Sequence, residues 1–179
     1  AGTIFVHKIA GAKAEQGAEL PEVKAVAEKV IANVRSMGMA IEPCMVPAAG
    51  KPGFELADDE MEIGIGIHGE PGTHREKLRP ANEIAKMLVD QILADLDYKG
   101  HEVVVLINGM GGTPLMELYI VNNFVQDYLK EQGIAVYDTM VGNYMTSIEM
   151  AGFSITLLRL DDELKGLYDE PADTLAWKK

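Results

Sequence analysis

The apolar positions of this chain keep two periods, and the changes between them mark its elements. Pro21 suits the first turn of a helix in which Val23, Val26, Ala27, Val30, Ile31 and Val34 repeat every 3.6 residues, and Gly38 suits its stop. The segment before it, IFVHKIAGAKAEQGA, is apolar and helix-compatible. A strand is expected around Met39 to Val46, followed by the Pro/Gly-rich loop VPAAGKPGF. Over 61–67 the pattern switches to strict alternation. Ile63, Ile65 and Ile67 fall on one face of a strand, and Glu62, Gly64, Gly66 and His68 on the other. Residues 69–80 are polar and turn-rich. Ile84, Leu88, Ile92 and Leu96 then predict a helix over 81–97, ended by Gly100. Glu102 to Ile107 reads as a buried strand, Asn108 to Gly112 as a tight loop, and Thr113 and Pro114 as the cap and first residue of a helix running to about Gln132. Strand 134–141, loop 142–151, strand 153–160 and a short helix capped by Asp161 complete the pattern.

Strands alternating with helices predict an α/β layered domain over residues 1–179, a mixed β-sheet covered by α-helices. The sheet is expected to be mixed because no helix lies between the last two strands, which therefore read as antiparallel.

Composition narrows the function. The 28 acidic residues outnumber the 16 basic ones, giving a net charge of −12. No basic stripe exists to displace counterions from nucleic acid or to hold an anionic membrane surface. The single cysteine, Cys44, permits no internal disulfide and no Cys-rich metal site. The apolar runs fall far short of a membrane span, so a cytoplasmic location is expected.

Candidate chemistry concentrates after residue 60. Glycine contributes no packing to a strand, so Gly64 and Gly66 on one face mean that something approaches the backbone closely. One reading is steric, a crossing helix packed on the glycines with the imidazole of His68 capping a turn. In the other, Gly64 and Gly66 leave room for a small substrate, and the Gly69-Glu70-Pro71-Gly72 turn presents His68 as a nucleophile toward a carbonyl carbon. His68, Glu70 and His74 have an HxExxxH spacing, but it crosses a proline turn, so no regular element presents the three groups together and no metal is expected. His7 and His101 have polar neighbours and read as solvated. The NGMGGTP loop lies where open α/β sheets bind ligands, yet it lacks the Lys-Ser/Thr of a P-loop, so a tight strand-to-helix connection is an equal reading.

Three stretches carry a family resemblance: VPAAGKPGFELADDEMEIGIGIHGEPG (46–72), NGMGGTPLMELY (108–119) and GNYMTSIEMAGFSITLLRLDDE (142–163). With them the chain resembles the C-terminal half of the dihydroxyacetone-binding component of dihydroxyacetone kinases. The resemblance implies that His68 adds to the ketone carbon of dihydroxyacetone as a hemiaminal, with Gly64, Gly66 and Gly69 beside the substrate. It implies that an N-terminal half bearing a glycine-rich segment and an aspartate completes the site, and AGTIFVHKIAG resembles the junction between halves. The end at AWKK resembles stand-alone bacterial subunits of the phosphotransferase-system type. Mg²⁺ and ADP or ATP are then expected on a partner subunit, none on this chain, and the subunit is expected to be a homodimer. A non-catalytic, dihydroxyacetone-binding transcriptional co-activator is the alternative.

Overall fold

Helix α1 (Thr3–Glu15) opens the chain, which is seen here in a computed structural model describing residues 1–68 and 70–179. Helix α2 (Leu20–Asn33) begins with a capping box in which the Glu19 amide donates to Glu22 Oε2 at 2.9 Å. It ends five residues before Gly38, the expected stop. Gly38 lies instead inside β1 (Val34–Glu42), where a side chain would strike the Ile65 carbonyl and the Met110 methyl, each 2.9 Å from an added Cβ. The glycine serves a crossing of segments, a requirement that helical periodicity does not report.

The loop 47–50 is the tip of a small hairpin of β2 (Met45–Val46) and β3 (Lys51–Pro52). The strand expected over 61–67 is shorter: β4 (Glu60–Ile63) stops where Gly64 adopts φ +85°. The expected polar loop 69–80 contains a further strand, β5 (His74–Lys77), paired antiparallel with β4. Helix α3 (Ala81–Asp95), strand β6 (Glu102–Gly109), helix α4 (Leu115–Glu131), strand β7 (Ala135–Gly142), strand β8 (Ala151–Arg159) and helix α5 (Asp162–Asp169) follow the sequence pattern within a few residues. Asp161 caps α5 as expected, its Oδ1 accepting from the Leu164 amide at 2.8 Å. Thr113 caps nothing: its hydroxyl donates to the Gly152 carbonyl at 2.8 Å.

The sheet is mixed, in the order β5-β4-β1-β8-β6-β7. Only β6 and β7 are parallel. The last two strands run in opposite directions but are not neighbours, because β8 inserts between β1 and β6 and pairs antiparallel with both. Alternate residues of β6 divide the core. Val103, Val105 and Ile107 pack under α3 and α4, while Val104 and Leu106 pack against α1, α2 and α5. Burial on both faces is why this strand reads as a continuous apolar run. On the second face the helices cover only part of the sheet. The row Gly38, Ser154 and Asn108, adjacent across β1, β8 and β6, lies under loops instead. The candidate site is built there.

Candidate functional site

At Gly64 the chain leaves the sheet, its amide donating to the Gly38 carbonyl at 2.7 Å. It rejoins at Thr73, whose amide and hydroxyl both donate to the Ile63 carbonyl, at 2.7 and 3.2 Å. Residues 64–73 are therefore one excursion between two paired strands. Its apolar foot, Ile65, is buried with Ala40, Cys44, Met110 and Met150 in a small third core at the sheet edge. Its tip carries His68, whose side chain is 78% exposed and lines a cleft of about 400 Å³.

Glu70 fixes the histidine. One carboxylate oxygen accepts from the His68 backbone amide at 2.9 Å and the other lies 3.2 Å from His68 Nδ1. Hydrogen bonds from its own amide and from that of His68 hold the Glu70 carboxyl below the usual carboxylate range. An ionised carboxylate only accepts, so Nδ1 carries the proton and the lone pair of the neutral ring lies on Nε2. Gly66 is bare because of this arrangement: a Cβ there would collide with the Glu70 carboxylate. The open glycine lane read from alternation is thus a bend at Gly64 and a seat for Glu70 at Gly66. Gly69, the remaining residue expected beside a substrate, lies outside the described residues.

The far side of the excursion is tied by Glu62, which is buried to 8% exposure on β4. It accepts from the Gly72 amide at 3.0 Å and from Arg75 Nε at 2.7 Å. His74 turns away from His68: its ring bonds to Thr73 and Glu76. No group of three His, Cys, Asp or Glu side chains is placed to hold a metal ion among the described residues.

The opposite wall of the cleft is the loop 143–150, and the glycine-rich NGMGGTP segment supports it. Asn108 is fully buried at the end of β6, where its Oδ1 accepts from the Tyr144 and Met145 amides (3.0 and 2.8 Å) and its Nδ2 donates to the Met145 carbonyl (2.7 Å). The Met110 carbonyl accepts from the Ser147 amide at 2.9 Å, and the Gly112 amide donates to the Met150 carbonyl at 2.9 Å. Side chains at Gly111 or Gly112 would strike the carbonyls of Ile148 or Glu149. These glycines serve close backbone approach. The segment does share an edge with His68, as expected, but by a different route. β4 runs against β6, and its last residue, Ile63, pairs with Met39, which is level through Phe153 with Gly109 at the C-terminal end of β6, so the chain leaves the sheet at that edge.

The chain matches the Dak1 domain over residues 1–176. It belongs to the Dak1 domain family. Among curated members, it is 55% identical over 179 residues to the PTS-dependent dihydroxyacetone kinase 1 dihydroxyacetone-binding subunit DhaK of Listeria innocua, covering 99% of this chain and 54% of that protein. Among solved structures, the dihydroxyacetone kinase operon co-activator Dha-DhaQ superposes with a TM-score of 0.88 at 37% identity, over 95% of this chain and 53% of the other. The native dihydroxyacetone kinase of C. freundii superposes with a TM-score of 0.86 at 30% identity, over 99% of this chain and 32% of the other. The chain thus spans about half the length, or less, of the Dak1 relatives it matches.

Cys44, Arg75, Ser147 and Ile148, which line the cleft with His68 and Glu62, carry no sequence signal of that role. Glu62 alone left a trace, as a charged residue that alternation places on the same face as the glycines.

Proposed function

We propose that this chain is the C-terminal portion of a dihydroxyacetone-binding kinase subunit and that His68 captures the ketone covalently. The observation that carries this reading is the Glu70–His68 pair, which leaves Nε2 as the lone-pair nitrogen on a ring exposed at a cleft. The Nε2 lone pair adds to the carbonyl carbon, and the carbonyl π electrons move to oxygen as an alkoxide. The ring becomes cationic, and the adjacent Glu70 carboxylate stabilises that charge. Transfer of the Nδ1 proton to the alkoxide, relayed by Glu70, leaves a neutral hemiaminal. An alcohol without a carbonyl has nothing to trap, which gives selectivity over glycerol.

Gly64 and Gly66 contribute by shaping the excursion, and Gly69 is assigned beside the substrate with them. The phosphorylated atom is a terminal hydroxyl, so His68 holds the substrate while groups outside this chain handle the proton. The phosphoryl donor, ADP or ATP with Mg²⁺, is assigned to a separate ADP-binding subunit of the phosphotransferase-system type. The PTS-dependent naming of the 55%-identical relative supports this choice. The full-length subunit is assigned to the cytoplasm as a homodimer.

A second reading, a non-catalytic co-activator, draws on the likeness to the co-activator structure. The two readings share His68 and differ in turnover. Carbon NMR of ¹³C2-labelled dihydroxyacetone mixed with the full-length subunit tests the shared step. The ketone signal moves to a tetrahedral-carbon position in wild type and stays unshifted in His68→Asn; an adduct retained in His68→Asn refutes the assignment. Dihydroxyacetone phosphate formation on adding the donor subunit then separates kinase from co-activator.

A further inference from the structure

Among the described residues Ile148 is the one non-glycine residue with a positive φ, +55°. The left-handed region is disfavoured for every L side chain, and a β-branched residue there is a true outlier. Ile148 sits at the first central position of a turn closed by the Met150 amide donating to the Ser147 carbonyl at 3.0 Å. Glu149, the second central residue, has no positive φ. That combination is the turn whose first central position is normally glycine. Holding isoleucine there costs on the order of 1–3 kcal/mol, and such strain persists only where the surroundings over-determine it.

They do so from each side. The Ser147 amide is bound to Met110, Glu149 Oε1 accepts from the Met45 amide at 2.6 Å, and Gly111 leaves the space the Ile148 carbonyl occupies. The strain is not offset by core packing, since Ile148 is 52% exposed. Ile148 instead lines the His68 cleft, whose wall also includes Phe54 and Ile67. Glycine would satisfy the turn and leave that wall open.

We propose that Ile148 is a substrate-positioning residue, locked in a strained turn so that its apolar side chain closes the wall of the His68 cleft over the carbon skeleton of a captured short-chain ketose. The inference rests on the capture reading and deepens it. Covering the adduct with hydrocarbon keeps water from the tetrahedral carbon and so favours the hemiaminal over the free hydrate.

The test measures two quantities that a merely structural role would move together. In the full-length subunit, adduct population is titrated by carbon NMR with labelled dihydroxyacetone, and Tm is measured without ligand, for Ile148→Gly, Ile148→Asn and Ile148→Val. Asparagine tolerates positive φ without the unfolded-state entropy of glycine. The Asn variant is expected to gain roughly 2–4 °C in Tm, with the Gly variant gaining less. Both are expected to capture dihydroxyacetone about tenfold more weakly, as loss of a buried aliphatic contact implies. Val, which keeps the branched wall, retains capture within about twofold. Unchanged capture in Gly and Asn, or a lowered Tm in both, overturns the inference while leaving His68 capture standing. Absence of an adduct in wild type refutes the capture reading itself, and this inference with it.

Discussion

Glu70 is the residue on which the geometry of His68 turns. It seats the backbone amide and the ring of the histidine at once, and its depressed carboxyl pKa reports those contacts. The sign follows from the direction. A carboxyl held lower in the folded chain contributes its bonds in full above its ordinary range, and they are lost as pH falls through the depressed folded value. The amide of His68 is therefore expected to stay protected from hydrogen exchange through the ordinary carboxylate range and to lose protection only as pH falls below it. Replacing Glu70 with Gln keeps an acceptor for the amide but removes the charge proposed to stabilise the cationic ring during capture. Capture is expected to weaken about fivefold, a modest loss because the pair is exposed; titration by carbon NMR reads it. At this scale the sequence was partly legible. His68 stood out because it follows a glycine-laced alternation and precedes a Gly-Glu-Pro-Gly turn, yet the residues alone left a steric reading beside the chemical one. Ile148 did not, because isoleucine in a strained turn has the same one-letter signature as isoleucine in a strand.

At the scale of elements, the run 61–67 shows where alternation misleads. Ile63 and Ile65 are both buried, as a period of two requires, yet Ile63 belongs to a core under α3 while Ile65 belongs to the edge core under the cleft. Both burials satisfy one pattern, and only the φ of Gly64 separates them. Gly64→Ala is expected to cost about 1–2 kcal/mol, from its positive φ and from contact with Thr73 at 3.0–3.1 Å of the added Cβ. Gly38→Ala is expected to cost about 1–3 kcal/mol, since the Met110 methyl can move but the Ile65 carbonyl cannot without shifting the excursion. Urea-unfolding midpoints measure both. Gly38 misled the helix boundary for the same reason: a glycine that permits two segments to cross and a glycine that ends a helix are one letter. The regular elements β6, α3 and α4 were legible because each buries a whole face or stripe, which is what periodicity records.

In the whole molecule, two large cores hold the two faces of the sheet and the small third core carries the cleft. Substitutions in them separate accordingly. Leu106→Ala, in the core under α1, α2 and α5, is expected to lower global stability by about 2–5 kcal/mol, read from the urea midpoint. The strand order was the least legible feature, because nothing in the local pattern of residues 151–159 tells that they insert between two strands already present. That insertion has a consequence in time. Until β8 is available, β1, β4 and β5 form one antiparallel fragment and β6 with β7 another, with no strand joining them. Between the completion of β7 at Gly142 and of β8 at Arg159, a chain emerging from the ribosome therefore exposes two half-built sheets, each with an unpaired edge open to wrong partners. Closure of the sheet waits for β8, and the contacts it makes, residue 34 with 158 and 103 with 159, join segments far apart in sequence, the kind of contact that slows a fold.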